Sequence, residues 1–333
     1  MGQQSAFDYL SHGQIPFFRL PSAPLAAGVP PGTDAVLLGV PWDGGTTYRP
    51  GARLAPFEIR RVSALVQGHH PGHGVYVFEA LRAVDGGNVV FPPFDAKAMR
   101  SAVEAAVSLA LRAGATPFLV GGDHSIALPA LRAVASRLGP VAVVHVDAHL
   151  DTSGSEVWGE AHHHGTPFRH VLGEGLVAAG QLHQVGIRGP WGSAGDGEPG
   201  AARGARVWTM DEVSDRGVAA VAAELRSAIG DRPVYLSFDV DAVDPAHAPG
   251  TGTPVPGGLT SREALRLVRS LAGLSLVGMD LVEVCPPLDH ADVTSHLAAH
   301  LLFEGLALAA LARRSARALD PQPADAGPAQ RAE

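Results

Sequence analysis

A chain of 333 residues with 46% hydrophobic and 17% charged content can bury a large core and lies far from the disordered class. Its formal net charge of −8 excludes a general nucleic-acid binder, which needs a basic stripe, and gives no attraction to an anionic membrane surface. One cysteine, Cys285, cannot close an internal disulfide, so a reducing compartment is expected.

Residues 1–33 are rich in Pro, Gly and Ser, and Phe17-Phe18 needs a surface to cover it, so this stretch reads as an arm on the body or on a neighbouring subunit. Its first twenty residues lack a basic start followed by an apolar run, and no stretch approaches the roughly 18 uninterrupted apolar residues of a membrane span. A cytoplasmic protein is expected.

From residue 34 to residue 316 the pattern predicts a strand at 35–40, a helix at 56–65, and a Gly/Pro-rich loop whose His69, His70 and His73 read as solvent-facing. A helix at 95–113, a strand at 117–120, a helix at 125–137 and strands at 141–146, 184–187 and 206–209 follow. A helix at 218–229, a strand at 234–240, a helix at 261–271, a strand at 276–284 and a helix at 290–312 complete the order. Residues 317–333, rich in Ala, Pro and Asp, read as a disordered tail. Several strands are unbroken apolar runs, as in strands covered on both faces. The alternation predicts a single-domain, three-layer α/β/α fold with a mainly parallel central sheet. Ligands of such sheets bind beyond the carboxyl ends of the strands.

Three of those ends carry polar clusters: Gly121-Gly122-Asp123-His124-Ser125, Asp147-Ala148-His149-Leu150-Asp151, and the pair Asp239 and Asp241. Residues two apart on an extended chain share a face, so Asp147 with His149, and Asp239 with Asp241, address one site. Carboxylates converging at a buried edge repel strongly, so either some hold protons or cations neutralise them. Two histidines with four aspartates suit a pair of divalent ions, and Mn²⁺ fits an oxygen-rich site with some imidazole.

The runs Gly121–Ser125, Asp147–Asp151 and Ser237–Asp244 resemble the three metal signatures of the ureohydrolase (arginase/agmatinase) family. The resemblance spans about residues 16–311 and includes Pro41-Trp42-Asp43-Gly44-Gly45, Arg49-Pro50-Gly51-Ala52-Arg53, His164-Gly165-Thr166-Pro167-Phe168 and Gly250–Leu259. Its motifs sit nearer agmatinase, proclavaminate amidinohydrolase and guanidinobutyrase than arginase. It implies an arginase-like fold and two Mn²⁺ per chain. His124, Asp147, Asp151 and Asp239 would hold one ion and Asp147, His149, Asp239 and Asp241 the other, with Asp147 and Asp239 bridging. Two such ions make a water ionisable near neutral pH, and that water is the expected nucleophile toward a guanidinium carbon. The resemblance makes His164 the proton shuttle and Glu283 the guanidinium-binding carboxylate; Asp151, His164 and Glu283 are the expected catalytic side chains. Asp43, Arg49 and Arg53 are expected to form salt bridges, and Thr253, Pro254 and Gly258 to shape the loop after the second Asp pair.

The substrate is therefore expected to be a small linear guanidino compound, cleaved to urea and an amine. Segment 152–163 holds Glu156 and Glu160 and no Lys or Arg, which favours an amine-ended chain such as agmatine, with Glu160 and Trp158 as tail contacts. The alternatives are guanidinobutyrate and a larger guanidino natural-product intermediate, for which Trp158 and loop 189–200 would line a wider mouth. From other classes, a metal-dependent deacetylase would carry a single Zn²⁺, and a non-catalytic binding protein would release no urea. The resemblance also implies a homo-oligomer, trimer or hexamer.

Overall fold

Short apolar runs that face helices on both sides pair here into one sheet. The computed structural model describes residues 15–192 and 194–319. The strands are β1 Ala35–Gly39, β2 Ala83–Asn88, β3 Thr116–Val120, β4 Val141–Val146, β5 Val177–Ile187, β6 Arg206–Thr209, β7 Pro233–Asp239 and β8 Ser275–Val282. They form an eight-stranded sheet ordered β2-β1-β3-β8-β7-β4-β5-β6. Every neighbouring pair is parallel. Parallel neighbours need long crossovers, and the chain supplies helices: α1 Ala55–Ser63, α2 Ala96–Arg112, α3 Ala127–Leu138, α4 Pro167–Gly173, α5 Met210–Arg216, α6 Val218–Ile229, α7 Ser261–Arg269 and α8 Val293–Leu319. The Asp95 carboxylate caps α2 by accepting from Ala98 N, and Thr260 with Glu263 forms a capping box on α7.

Successive strand residues enter different cores. Val36, Leu38, Leu119, Val143 and Tyr235 pack with Val103, Val107, Leu131 and Val134 of α2 and α3. Leu37, Phe118, Val144 and Leu236 pack with Ile59, Leu225, Leu267 and Leu302 of α1, α6, α7 and α8. This is the three-layer arrangement expected of runs buried on both faces. In α8, Val293–Ser315 is long and apolar enough to cross a membrane, but 78% of its apolar window is buried inside the fold, as in a core helix.

Besides the two short helices α4 and α5, which were not expected, the structure departs from the sequence expectations in four places. Strand β2 was not expected, because Asp85, Gly86 and Gly87 break its apolar run; the strand forms at the sheet edge, and a Cβ on Gly86 would come within 2.7 Å of Leu38. Strand β5 starts seven residues before the expected 184, and its first half is largely half-exposed and so lacks an apolar signature. Helix α8 continues to Leu319, into the stretch read as a disordered tail; residues 320–333, like residues 1–14 of the arm, lie outside the described residues.

The fourth departure is His70, which is buried rather than solvent-facing. Its Nε2 lies 2.9 Å from the Glu304 carboxylate, which also takes the Arg269 guanidinium. The loop is pinned as a small ribbon, His69–His70 against Val75–Tyr76, over α8, where a buried carboxylate needs donors. His69 is exposed beside Tyr76, and the His73 ring lies tilted against His70 with ring centroids 4.5 Å apart.

The described part of the arm lies on the body. Phe17 and Phe18 are fully buried, Phe18 against Phe78 and Phe303. Buried Asp85 anchors the arm: one of its oxygens accepts from Phe17 N at 2.9 Å, and its carboxylate takes Arg60 through Nε at 2.8 Å and Nη2 at 3.0 Å. Asp85→Ala strands the Arg60 guanidinium over Phe17 and should lower unfolding free energy by about 3 kcal/mol. Denaturant unfolding measures this, and a loss below about 1 kcal/mol would show that the pair does not anchor the arm.

Candidate metal centre

Four adjacent strands at the middle of the sheet, β3, β8, β7 and β4, all run the same way, so their carboxyl ends meet at one edge. His124 lies just past β3, Glu283 just past β8, Asp239 and Asp241 at the end of β7, and Asp147, His149 and Asp151 past β4. Glycine makes the first turn possible. Gly122 has φ 87°, and a Cβ there would stand 2.6 Å from Val40 O and 2.9 Å from Trp42 O, so the chain can bend tightly enough to bury His124.

The loops after β3, β4 and β7 are each braced by a carboxylate of their own. Asp123 accepts from Ser125 N and, at 2.7 Å, from Gly45 N; Asp147 Oδ1 accepts from His149 N at 2.6 Å; Asp239 Oδ1 accepts from Asp241 N at 2.8 Å. The outer oxygens then converge. His124 Nδ1 stands 3.1 Å from Asp147 Oδ2, 3.0 Å from Asp151 Oδ2 and 3.2 Å from Asp239 Oδ2. His149 Nδ1 stands 3.0 Å from Asp241 Oδ2 and 3.4 Å from Asp147 Oδ1. All six residues expected to hold metal are thus gathered, and Asp147 touches both histidines.

The donor set fits divalent cations. His124 is fully buried and its Nδ1 has no hydrogen-bond partner among the described residues, although three carboxylates surround it. Burial pushes the carboxyls of Asp239 and Asp241 up, as do neighbouring Asp charges. Burial opposes charge on His124, but Asp147, Asp151 and Asp239 outweigh it and raise its pKa well above the usual imidazole value. Burial likewise opposes charge on His149, and Asp241 and Asp147 push it up to about 12. A centre that draws positive charge onto its imidazoles is one that a cation satisfies, and lone pairs aimed inward can hold it.

Neighbours the sequence reading did not single out orient these groups. Ser237 Oγ donates to Asp280 Oδ1 at 2.7 Å, so at 2.8 Å it accepts from His124 Nε2–H and leaves Nδ1 as the lone pair facing the carboxylates. Tyr235 OH holds the other Asp280 oxygen at 2.8 Å. His145 Nδ1 accepts from the Gln184 amide at 3.0 Å, so its Nε2–H donates to Asp147 Oδ2 at 2.7 Å and His145 acts as a donor to a ligand rather than as a ligand. The available signal was alternation, since Ser237 and His145 each precede an aspartate of the site by two residues on a strand.

Glu283 and Asp151 take left-handed backbone, φ 62° and 53°, which is costly for residues with side chains and clusters at functional sites. Glu283 lies one residue beyond β8 rather than inside the strand, and its Oε1 accepts from His124 N at 2.8 Å and His164 Nδ1 at 2.9 Å. His164 Nε2 faces Thr47, 2.7 Å from its hydroxyl and 3.2 Å from its amide N. Burial works against charging His164, but Glu283, then Asp123 and Asp151, outweigh it and push its pKa up to about 9.

A cavity of about 180 Å³ opens over these groups, with Asp151, Asp239, Asp241, His164 and Glu283 in its lining. Trp158 and Trp191 line it too and are 61% and 47% exposed, which places them at the mouth. Glu160 is not brought there: it is exposed, accepts from His162 N at 3.0 Å within its own loop and lies outside the lining. Gly159, with left-handed backbone after the turn Ser155–Trp158, carries the chain away. Glu156 is also exposed, 3.8 Å from Arg169. Arg53 pairs with Asp43 as expected, whereas Arg49 Nε donates to Gly252 O at 3.1 Å. Thr253 Oγ1 reaches Asp241 Oδ2 at 3.3 Å.

A family model described as the Arginase family matches residues 33–307. The chain is 45% identical over 305 residues to proclavaminate amidinohydrolase of Streptomyces clavuligerus, covering 91% of this chain and 96% of the relative. It is 43% identical to guanidinopropionase of Pseudomonas aeruginosa, covering 90% and 92%. The solved structure of the Streptomyces amidinohydrolase superposes with a TM-score of 0.84 at 44% identity, covering 91% of this chain and 98% of that one.

Because Ser237 fixes which His124 nitrogen faces the carboxylates, Ser237→Ala should weaken divalent-cation affinity by roughly 10–100-fold while the fold is kept. Titration of metal-depleted protein reads this directly, and wild-type affinity in the variant would contradict the orienting role.

Proposed function

This chain belongs to the arginase family, and from that membership we propose that it hydrolyses a linear guanidino compound, releasing urea and leaving an amine. The observation that carries the reading is one cavity lined by His149, Asp151, Asp239 and Asp241 together with the hydrogen-bonded pair His164–Glu283. Manganese is the proposed metal, given four carboxylates and two imidazoles with no thiolate. His124, Asp147, Asp151 and Asp239 would hold one ion, and Asp147, His149, Asp239 and Asp241 the other. When bound, such ions supply the Lewis acidity that makes a water ionisable near neutral pH.

The chain's own residues do the rest. Both Glu283 contacts fall on Oε1, which leaves Oε2 for a guanidinium N–H and turns the guanidinium carbon toward the carboxylate cluster. The water oxygen bonds to that carbon, and the carbon–nitrogen bond to the substrate chain breaks. The departing nitrogen needs a proton, because an amide anion is too basic to leave, and His164 supplies it and regains one from the attacking water. Guanidinium plus water thus becomes urea plus an alkylammonium ion. Glu283 also tethers His164 Nδ1, so one carboxylate positions both the substrate and its proton donor. The single Cys285, buried and unpaired, accords with a cytoplasmic setting.

Agmatine is the proposed substrate. The support is that Arg188, the one arginine or lysine among the described residues of the cavity wall, turns its N–H groups to main-chain carbonyls, so it is not arranged to take a carboxylate tail. Glu156 and Glu160 lie outside the cavity lining. Two tryptophans at the mouth favour a second reading, a larger guanidino compound whose body lies against Trp158 and Trp191.

Urea release with added Mn²⁺ across agmatine, guanidinobutyrate, arginine and a bulky guanidino compound tests the assignment. Agmatine should exceed guanidinobutyrate in kcat/KM by about tenfold or more, the scale of one charge-assisted contact. Preference for guanidinobutyrate would overturn the agmatine assignment, and no urea from any compound would overturn the hydrolase. His164→Ala should lower kcat by about 10²-fold with its divalent ions retained. If ion content falls with it, His164 belongs to the metal centre and not to proton transfer.

A further inference from the structure

Arg188 follows β5 directly and stands in the cavity wall, yet among the described residues its guanidinium meets no carboxylate at hydrogen-bond distance. Nε donates to Val255 O at 3.1 Å, Nη1 to Gly186 O at 3.2 Å and Ala242 O at 3.0 Å, and Nη2 to Asp241 O and Val255 O, both at 2.7 Å. All five N–H groups of the side chain are thereby spent on four main-chain carbonyls. Its backbone N–H donates to Ala148 O at 2.9 Å, between Asp147 and His149. One residue therefore grips both the loop that carries His149 and the loop that carries Asp241. Asp241 Oδ1 closes the same circuit by accepting from Ala148 N at 3.2 Å.

Gly258 makes room for this arrangement. A Cβ there would stand 2.5 Å from Arg188 Nη2 and 2.6 Å from Asp244 N. A lysine could not replace the fork, because a point ammonium with three donors cannot span four carbonyls set on β5 and along the chain after β7. The tie to the His149 loop is the backbone N–H of residue 188. With no N–H left over, the guanidinium is not arranged to bind a substrate tail. Its charge still lies near Asp147, Asp239 and Asp241, where it offsets their mutual repulsion.

We propose that Arg188 is a positioning residue for the second cation position: by tying the two loops together it fixes His149 against Asp241, and capture of an ion there depends on it. The role rests on the two-cation reading given under Proposed function, but ion binding is measured without substrate, so the two claims separate. Arg188→Lys and Arg188→Met, depleted of metal, are titrated with Mn²⁺ alone; bound ions are counted and their spin coupling is read by electron paramagnetic resonance. Wild type should take two ions and show a coupled signal. Arg188→Lys should hold the first ion as wild type does and the second at least tenfold more weakly, with unchanged circular dichroism, and excess Mn²⁺ should restore kcat at an unchanged KM. Arg188→Met should show only the uncoupled signal below saturating Mn²⁺, and if it fails to fold, the lysine variant decides. Wild-type affinity for both ions in Arg188→Lys would overturn the proposal, as would a raised KM with both ions in place, since Arg188 would then be reading substrate. Fewer than two ions in wild type would overturn the two-cation reading and this role with it, whereas two ions without urea release would overturn only the assigned reaction.

Discussion

Asp147, Asp151, Asp239 and Asp241 stand almost wholly out of water at the ends of neighbouring strands, where their charges repel with little screening. Much of the fold bears on that repulsion. Because β3, β8, β7 and β4 run the same way, four loops arrive at one edge, and antiparallel neighbours would have sent half of them to the other end of the sheet. Asp147, Asp239 and Asp241 each spend one oxygen on their own loop or a neighbouring one, and two imidazoles face what remains. Those imidazoles are drawn toward the protonated form, which marks the place a cation takes.

Orientation is the second requirement. Ser237 and Asp280 decide which His124 nitrogen looks inward, and Gln184 and His145 do the same for one oxygen of Asp147. The left-handed backbone at Asp151 and Glu283 costs about 1–3 kcal/mol each. Main-chain bonds hold both: Phe168 N donates to Asp151 O at 3.0 Å and Glu283 N to Gly122 O at 2.9 Å. Strain, tautomer and loop spacing are thus held by hydrogen bonds within the chain itself.

Features that repeat along the chain were legible in the sequence. Apolar runs, several of them unbroken, marked seven of the eight sheet strands; i, i+2 spacing grouped Asp147 with His149 and Asp239 with Asp241, and the family resemblance supplied the full ligand set with His124 and Asp151. What the chain brings together only in space was not legible. Asp280 reads as a polar break in an apolar strand until the register pairs it with Ser237. Arg188 reads as a loop cation until the chain beyond β7 closes around its guanidinium. Strand β2 was hidden by its glycines, and buried His70 by the Gly/Pro loop around it, because the sequence does not reveal that α8 lies beneath. Glu160 erred the other way: charge in a loop says nothing about which way a left-handed Gly159 will turn it.

Anomalous diffraction at the manganese edge, from crystals grown with Mn²⁺, tests most directly whether these carboxylates converge to hold two cations. Two peaks are expected, one among His124, Asp147, Asp151 and Asp239 and one among Asp147, His149, Asp239 and Asp241. A single peak, or none, with the four carboxylates still converged would contradict the account.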